Sequence, residues 1–293
     1  MDKPGDVLPP RGRIEQRTKI SGGTQSDVPN FRELWQYRDL IGLLVWRDVS
    51  TRYRQTILGP IWFIAQPVLP ALVFTMLLGR VAGLSTDKQP MFLFYLCNQV
   101  AWGFLANVFS AVSGSLLGNL HIFSKVYFPR LVVPLAQVAS SVVTLGVQLL
   151  FLVAATIVFF MRIRSGEPVP FGAFWPSVLS LLLLGLLGLG FGLWMSALTA
   201  KYRDLQQVAP LLIQLWMYGS AVLLPLSQAH GTTRRLMEIN PATFAIELFR
   251  FGYFGTATIS YAAALWSIAT ALLAVVSGAW AYQRVAATFV DTA

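Results

Sequence analysis

Six stretches of this chain are long, apolar and almost free of charge, and nothing else in the sequence constrains the fold so tightly. They lie near residues 60–81, 91–113, 132–161, 173–200, 208–226 and 259–282. About 20 helical residues are needed to cross a hydrocarbon core of roughly 30 Å, and each run is of that order. The third and fourth are longer, so tilt or projection beyond the bilayer is expected there. Composition agrees, because 55% of residues are hydrophobic and only 12% charged, against roughly 25% charged in soluble domains. The pattern predicts an all-α integral membrane protein with a single membrane domain of six transmembrane helices.

The formal charge of +9 is unevenly placed. Ten of the 22 basic residues precede the first run, between Lys3 and Arg54. Lys and Arg near span ends hold their loops in the cytoplasm, which puts the amino terminus inside. With six spans the same side collects Lys125, Arg130, Lys201, Arg203 and Arg284, giving 15 basic residues inside against seven outside. Both termini are therefore expected in the cytoplasm. No base-stacking motif accompanies the basic residues, so nucleic acid is not an expected partner. Residues 1–58 contain no apolar segment followed by a small-residue cleavage site, so the first span is expected to act as the targeting signal.

Residues 1–29 are rich in Pro, Gly, Ser and charge, the composition of a disordered cytoplasmic tail. Asn30 and Glu33 resemble a capping box. Behind them Leu34, Tyr37, Ile41, Leu44, Val45, Val49 and Tyr53 recur at helical spacing, with Arg32, Asp39, Arg47 and Arg54 opposite. This predicts an amphipathic helix over 30–56, its apolar stripe in the lipid boundary and its basic residues near phosphates. The alternative is a soluble helix packed on a partner.

Two connections carry structure of their own. Residues 114–130 place Leu116, Leu120, Phe123 and Tyr127 on one helical face and end at Pro129, which predicts a short cytoplasmic helix. Residues 227–258 include an apolar stretch, 241–254, too short to span and interrupted by Glu247 and Arg250. Re-entrant or interfacial helices on the outer side fit that pattern. Within the fourth run, Gly185, Gly188, Gly190 and Gly192 include a G-x-x-x-G pair, which permits close helix approach either inside one subunit or at a dimer seam.

Chemistry narrows the function. Cys97 is the single cysteine, and His121 and His230 are far apart in sequence, so no disulfide framework or metal site of recognised spacing can be assembled. The thirteen carboxylates fall in the arm, loops or run ends, which argues against a proton- or sodium-coupled transporter. Asp204, beside Lys201 and Arg203, is a charge at a helix end and not an acid–base cluster. There is no G-x-x-x-x-G-K-[ST] loop, so energy for uphill movement would have to enter through a partner. Aromatic residues reach 13%, among them Trp62, Phe63, Trp102, Phe104, Phe109 and Tyr218. Most such side chains serve lipid belts or helix packing. A subset lining a channel would offer flat platforms on which sugar rings slide.

The stretch 44–59, LVWRDVSTRYRQTILG, followed by Trp62 and Gln66-Pro67, resembles the opening of the polysaccharide-export permeases of ABC transporters. So do KVYFPR at 125–130, LTAKYRDL at 198–205 and Asn240-Pro241 before the last run. The resemblance covers about 30–284 in order. It implies a homodimer of six-span subunits in the inner membrane, docked on two nucleotide-binding ATPase subunits that hold ATP and Mg; this chain itself would carry no cofactor and no catalytic residue. The implied cargo is a lipid-linked polysaccharide, O-antigen being favoured over capsule or teichoic acid. It further implies a permease domain over 57–284 with a cytoplasmic tail at 285–293. ATPase coupling would fall to His121, Phe123, Lys125, Tyr127 and Arg130, and outer gate helices would carry Asn240, Pro241, Glu247 and Arg250. Arg47, Arg52 and Arg54 are candidates for recruiting a lipid phosphate, since the guanidinium fork suits its oxygens. A small-molecule or lipid exporter of the same fold, and a membrane-bound glycosyl or phosphate transferase, are the competing readings.

Overall fold

A computed structural model describes residues 35–53, 59, 61–87, 89–119, 128–162, 171–258 and 260–292. Among these residues the fold is all-helical: α1 (Arg38–Tyr53), α2 (Ile61–Phe74, continuing in a π-helical stretch Thr75–Val81), α3 (Met91–Ser113), α4 (Val132–Arg162), α5 (Phe174–Lys201), α6 (Leu205–Tyr218), α7 (Gly231–Ile239), α8 (Pro241–Phe254) and α9 (Tyr261–Thr292). Five helical segments are long and apolar enough to cross a membrane: Ile61–Val81, Met91–Ser113, Val132–Arg162, Phe174–Lys201 and Tyr261–Ala287. They coincide with five of the six runs.

The helix α3 is the buried centre. Fifteen of its residues from Leu93 to Val112 are covered by neighbouring helices, whereas α2, α4 and α9 keep broad apolar faces exposed, as lipid-facing helices would. Glycines bring α3, α5 and α9 into close register. Gly185 faces Phe104, Gly188 faces Leu105 and Val108, and Gly192 faces Phe109 and Val112. On its other side α5 meets α9, where a Cβ on Gly190 would lie 2.7 Å from the backbone of Ala274 and one on Gly278 would lie 2.6 Å from the Gly190 carbonyl oxygen. The glycines of α5 thus pack inside one subunit. These pairings, with Trp194 donating to Ser277 at 3.0 Å, make α3, α5 and α9 parallel. At their far end Ser115 joins Ser196 at 3.0 Å and Tyr282 at 3.3 Å, tying the three helices together.

Parallel neighbours require the chain to return between them. Between α3 and α5 the return is the 31-residue α4. Between α5 and α9 the fifth run was expected to return as one span over 208–226, and the structure corrects this. The helix stops at Tyr218 after 14 residues, about 21 Å, and residues 219–224 form turns. The chain nonetheless reaches the opposite end, because Gln206 lies near Gly114 while Ser227 donates to Asp87, in the loop before α3, at 2.6 Å. From there α7 descends to Asn240, level with Trp216 and Gly219. Finally α8 climbs back antiparallel to α5, with Ala245 beside Ser180 and Tyr253 beside Gly172.

One further expectation is corrected. The apolar stripe of α1 does not lie open to lipid: Leu44 is buried with Phe128, Val132, Val133 and Ala136, and Tyr37, Leu40, Ile41 and Val45 pack on the same cluster. The start of α4 offers a covalently tethered apolar surface, so the stripe is satisfied within the chain. What α1 exposes is a different face, with Leu43 and Trp46. At the other terminus, α9 continues to Thr292, so the segment 285–292 is helical. No Gly or Pro follows Gly278 to stop it, and Arg284 lies over the Trp280 ring at 4.3 Å. The short helix expected over 114–130 appears as one turn, Ser115–Gly118, and its remainder at 120–127 lies outside the described residues.

Replacing Gly190 or Gly278 by Leu should drive α5 and α9 apart and lower stability by at least ~1–3 kcal/mol. Gly103→Ala, which meets nothing within 4 Å, should be tolerated. Thermal unfolding of the detergent-purified chain, followed by monodispersity on size exclusion, checks this; equal melting of all three variants would contradict the close packing.

Candidate functional site

The segment with the most demanding chemistry is the hairpin α7–α8 and the irregular stretch 219–228 that leads into it. Backbone that leaves the helix inside an apolar environment keeps N–H and C=O groups that water cannot reach, at a cost of several kcal/mol each if unpaired. Side chains supply the partners. Asn98 of α3 donates to the Val222 carbonyl at 2.9 Å. Asn240 donates to the Gly219 carbonyl at 2.9 Å, while its own oxygen accepts from Trp216 at 2.8 Å and from the Ala242 amide at 3.0 Å. The carboxylate of Glu247 accepts from the Leu226 amide at 2.8 Å and the Thr258 amide at 3.4 Å.

The bounds of α8 follow from its own residues. Asn240 caps the N-terminus through its side chain, Pro241 occupies the first turn where no amide is needed, and Gly255 ends the helix with φ +74°. Between them nearly every side chain is buried. Glu247 and Arg250, one helical turn apart, are each 1% exposed and form an ion pair with one another. The Arg250 guanidinium also lies over Phe94 at 4.8 Å from the ring centre. The two residues that interrupt the apolar stretch are therefore its internal fastening. Glu247 holds the chain on both sides of the hairpin at once, at Leu226 before α7 and at Thr258 after α8. Tyr253 completes the seat, sharing a hydrogen bond of 2.7 Å with Thr156 and accepting the Gly172 amide on its carbonyl at 2.9 Å.

The aromatic candidates divide by location. Phe63, Trp102, Phe104 and Phe109 are buried in helix packing. Trp102 meets Trp216 edge-on at 5.9 Å, Phe104 packs on Gly185, and the Phe63 carbonyl accepts from Gln148 at 3.1 Å. All four pack between helices, Phe104 with its ring on the glycine face of α5. Trp62 and Tyr218 are the two that remain exposed, at 49% and 55%, on α2 and α6. The Tyr218 hydroxyl accepts from Gln214 at 2.9 Å.

The basic candidates are less accessible. Arg47 uses its guanidinium on Asp48 at 2.8 Å and on Asn119 at 3.3 Å, which ties α1 to the end of the bundle. The side chain of Arg52, and Arg54, lie outside the described residues, as do His121, Phe123, Lys125 and Tyr127. Arg130 is half-buried at the start of α4. Sequence reasoning did not single out Asn98, Gln99 or Gln148, although amides inside apolar runs were a visible signal. Nor did it single out Trp266, which donates to the Ile239 carbonyl at 2.7 Å and holds α9 against the hairpin.

Residues 39–254, from α1 through α8, match the family model described as ABC-2 type transporter. The chain belongs to that family. Among curated proteins it is 27% identical over 213 residues to the O-antigen export system permease protein RfbA of Myxococcus xanthus, covering 72% of this chain and 78% of the relative. A protein of the same name from Klebsiella pneumoniae is 24% identical over 225 residues, 76% of this chain and 83% of the relative. The polysialic acid transport protein KpsM of Escherichia coli is 25% identical over 205 residues, 70% and 77% of the two chains. The matched region includes α7, α8 and the Glu247–Arg250 pair.

Breaking a buried ion pair by removing one member typically costs about 3–5 kcal/mol, because the other charge is left uncompensated. Glu247→Ala and Arg250→Ala should each destabilise the chain on that scale. The double variant should lose less than the sum, since the pair acts as a unit. A double-mutant cycle read by thermal unfolding in detergent measures the coupling, and strictly additive losses would show that the two charges act separately.

Proposed function

We propose that this chain is the membrane subunit of an ATP-driven exporter that carries a lipid-linked polysaccharide, O-antigen in particular, across the inner membrane. The observation that carries this reading is the set of relatives named for O-antigen export and polysialic acid transport, aligned over 70–76% of the chain. The absence of a phosphate-cradling loop in the sequence supports a separate ATPase as the source of energy. The bias of basic residues supports a cytoplasmic location for the Lys201 end of the bundle and for both termini.

In this reading two copies of the chain pair, each with a nucleotide-binding subunit, and the polymer passes between the copies. The exposed apolar faces of α2, with Trp62, Leu69, Leu72 and Met76, and of α6, with Leu211, Leu215 and Tyr218, support such a path. A polymer slides past aromatic faces with small and similar energies at each repeat, whereas a deep hydrogen-bonded site would hold one repeat and stall the chain. The hairpin α7–α8 then acts as a gate at the outer end, and its Glu247 fastening sets the position to which the gate returns.

Deleting the chain should leave lipid-linked glycan in the cytoplasmic leaflet, detected by its inaccessibility to external glycan-binding reagents. Purified chain should hydrolyse no ATP unless its nucleotide-binding subunit is added. In the complemented strain Trp62→Ala and Tyr218→Ala should each slow export of long chains severalfold without loss of assembly, while Trp175→Leu, an exposed aromatic at the start of α5, should be near neutral. Normal surface glycan in the deletion strain, with accumulation of a small amphiphile instead, would favour a small-molecule or lipid exporter of the same fold.

A further inference from the structure

Between α7 and the first two turns of α9 lies a cleft of about 590 Å³, within the size range of small-ligand sites. Its chemistry is split. One wall is apolar, formed by Ala262, Ala263 and the half-exposed indole of Trp266; the other is polar, with Arg235, Glu238 and the Ser260 hydroxyl group. The cleft is a built feature: Trp266 donates to the Ile239 carbonyl at 2.7 Å and Ser267 to the Pro241 carbonyl at 2.6 Å, pinning the α7–α8 junction to α9.

Its charge balance selects the ligand. Glu238 is paired with Arg234 at 2.9 Å across one helical turn, so its negative charge is already compensated. Arg235 has no ion pair or hydrogen bond among the described residues, and it leaves the cleft with one uncompensated positive charge. Around the mouth Leu236, Tyr261 and Leu265 are exposed. Trp266 stands five residues into a membrane-crossing helix, about 8 Å along its axis, the depth at which headgroups give way to acyl chains. An uncompensated guanidinium above an apolar wall at that depth is complementary to a phosphate carried on a hydrocarbon chain.

We infer that the α7–α9 cleft binds a phosphate-headed lipid. The phosphate sits at Arg235 with Ser260 as a second donor, and the first carbons of the chain lie along Trp266, Ala262 and Ala263. The bound lipid bridges the hairpin to α9 from outside the bundle, so it adds a ligand-dependent contact to the hydrogen bond already made by Trp266. The shared chemistry has two sources, a bilayer phospholipid or a polyprenyl diphosphate carrier. The inference requires only that the chain spans a membrane, and it stands or falls independently of the polysaccharide reading.

Native mass spectrometry of the delipidated full chain tests it, with phosphatidylglycerol, undecaprenyl diphosphate and the uncharged dioleoylglycerol titrated separately. The wild-type chain should retain one phosphate-headed lipid in preference to dioleoylglycerol. Arg235→Gln should weaken that retention roughly tenfold, the loss expected of a charge-assisted contact. Arg235→Lys should recover most of it, and Trp266→Phe should weaken retention of long-chain lipids more than of short-chain ones. Preference for phosphatidylglycerol assigns the seat to bilayer lipid, and preference for undecaprenyl diphosphate assigns it to the carrier. Equal retention in wild type and Arg235→Gln, or equal binding of dioleoylglycerol, overturns the inference. So would efficient disulfide formation between copies carrying Arg235→Cys, since a second copy would then cover the cleft. Because no ATPase or glycan enters this measurement, its failure is distinguishable from failure of the export reading.

Discussion

Hydrogen-bonding groups of the backbone that lie where water cannot follow decide the most unusual part of this structure. A continuous helix satisfies them internally, and five long segments of the chain do so. The stretch after Tyr218 does not, and its carbonyls and amides are met instead by Asn98, Asn240 and Glu247. Each of these side chains is therefore held to a single orientation, and each holds a different neighbour in return. Through them the broken segment becomes a junction of α3, α6, α8 and the approach to α9.

That junction depends on close packing elsewhere. The parallel arrangement of α3, α5 and α9 leaves room for α8 only because α5 is narrow where it meets its neighbours, with glycine at 185, 188, 190 and 192. Gly252 repeats the device on α8, where a Cβ would collide with Ser177. Glu247 and Arg250 then sit in a dry site in which a lone charge would be expensive and a pair is tolerated. Losing either member would strand the other charge in that dry site, and the pair sits on one short hairpin, the kind of element a transporter could move as a unit.

The division of aromatic residues follows the same logic. Phe104 points at Gly185 of α5, where its ring fills the volume that a side chain would otherwise occupy. Trp62 and Tyr218 stand on helices without such a neighbour inside the chain, so they remain at the surface. The proposed polymer path is built from what intramolecular packing left uncovered.

Much of this was legible in the residues alone. Apolar runs marked five membrane-crossing helices to within a few residues, because length and lack of charge are local properties that lipid imposes directly. The apolar stretch 241–254 matched the bounds of α8, because its interruption by charge and its shortness are local properties of the sequence. The order of motifs pointed to the polysaccharide-export permeases of ABC transporters, and the family match to the ABC-2 type transporters agrees. What the residues could not state is where α6 stops, since 208–226 is as apolar as a span; past its end the carbonyls of Gly219 and Val222 are met by side chains distant in sequence, Asn240 and Asn98. Nor could they tell which face of α1 is covered or that Glu247 serves two loops. Those outcomes depend on contacts between residues tens to more than a hundred positions apart, and only the assembled tertiary structure brings such groups within hydrogen-bonding distance.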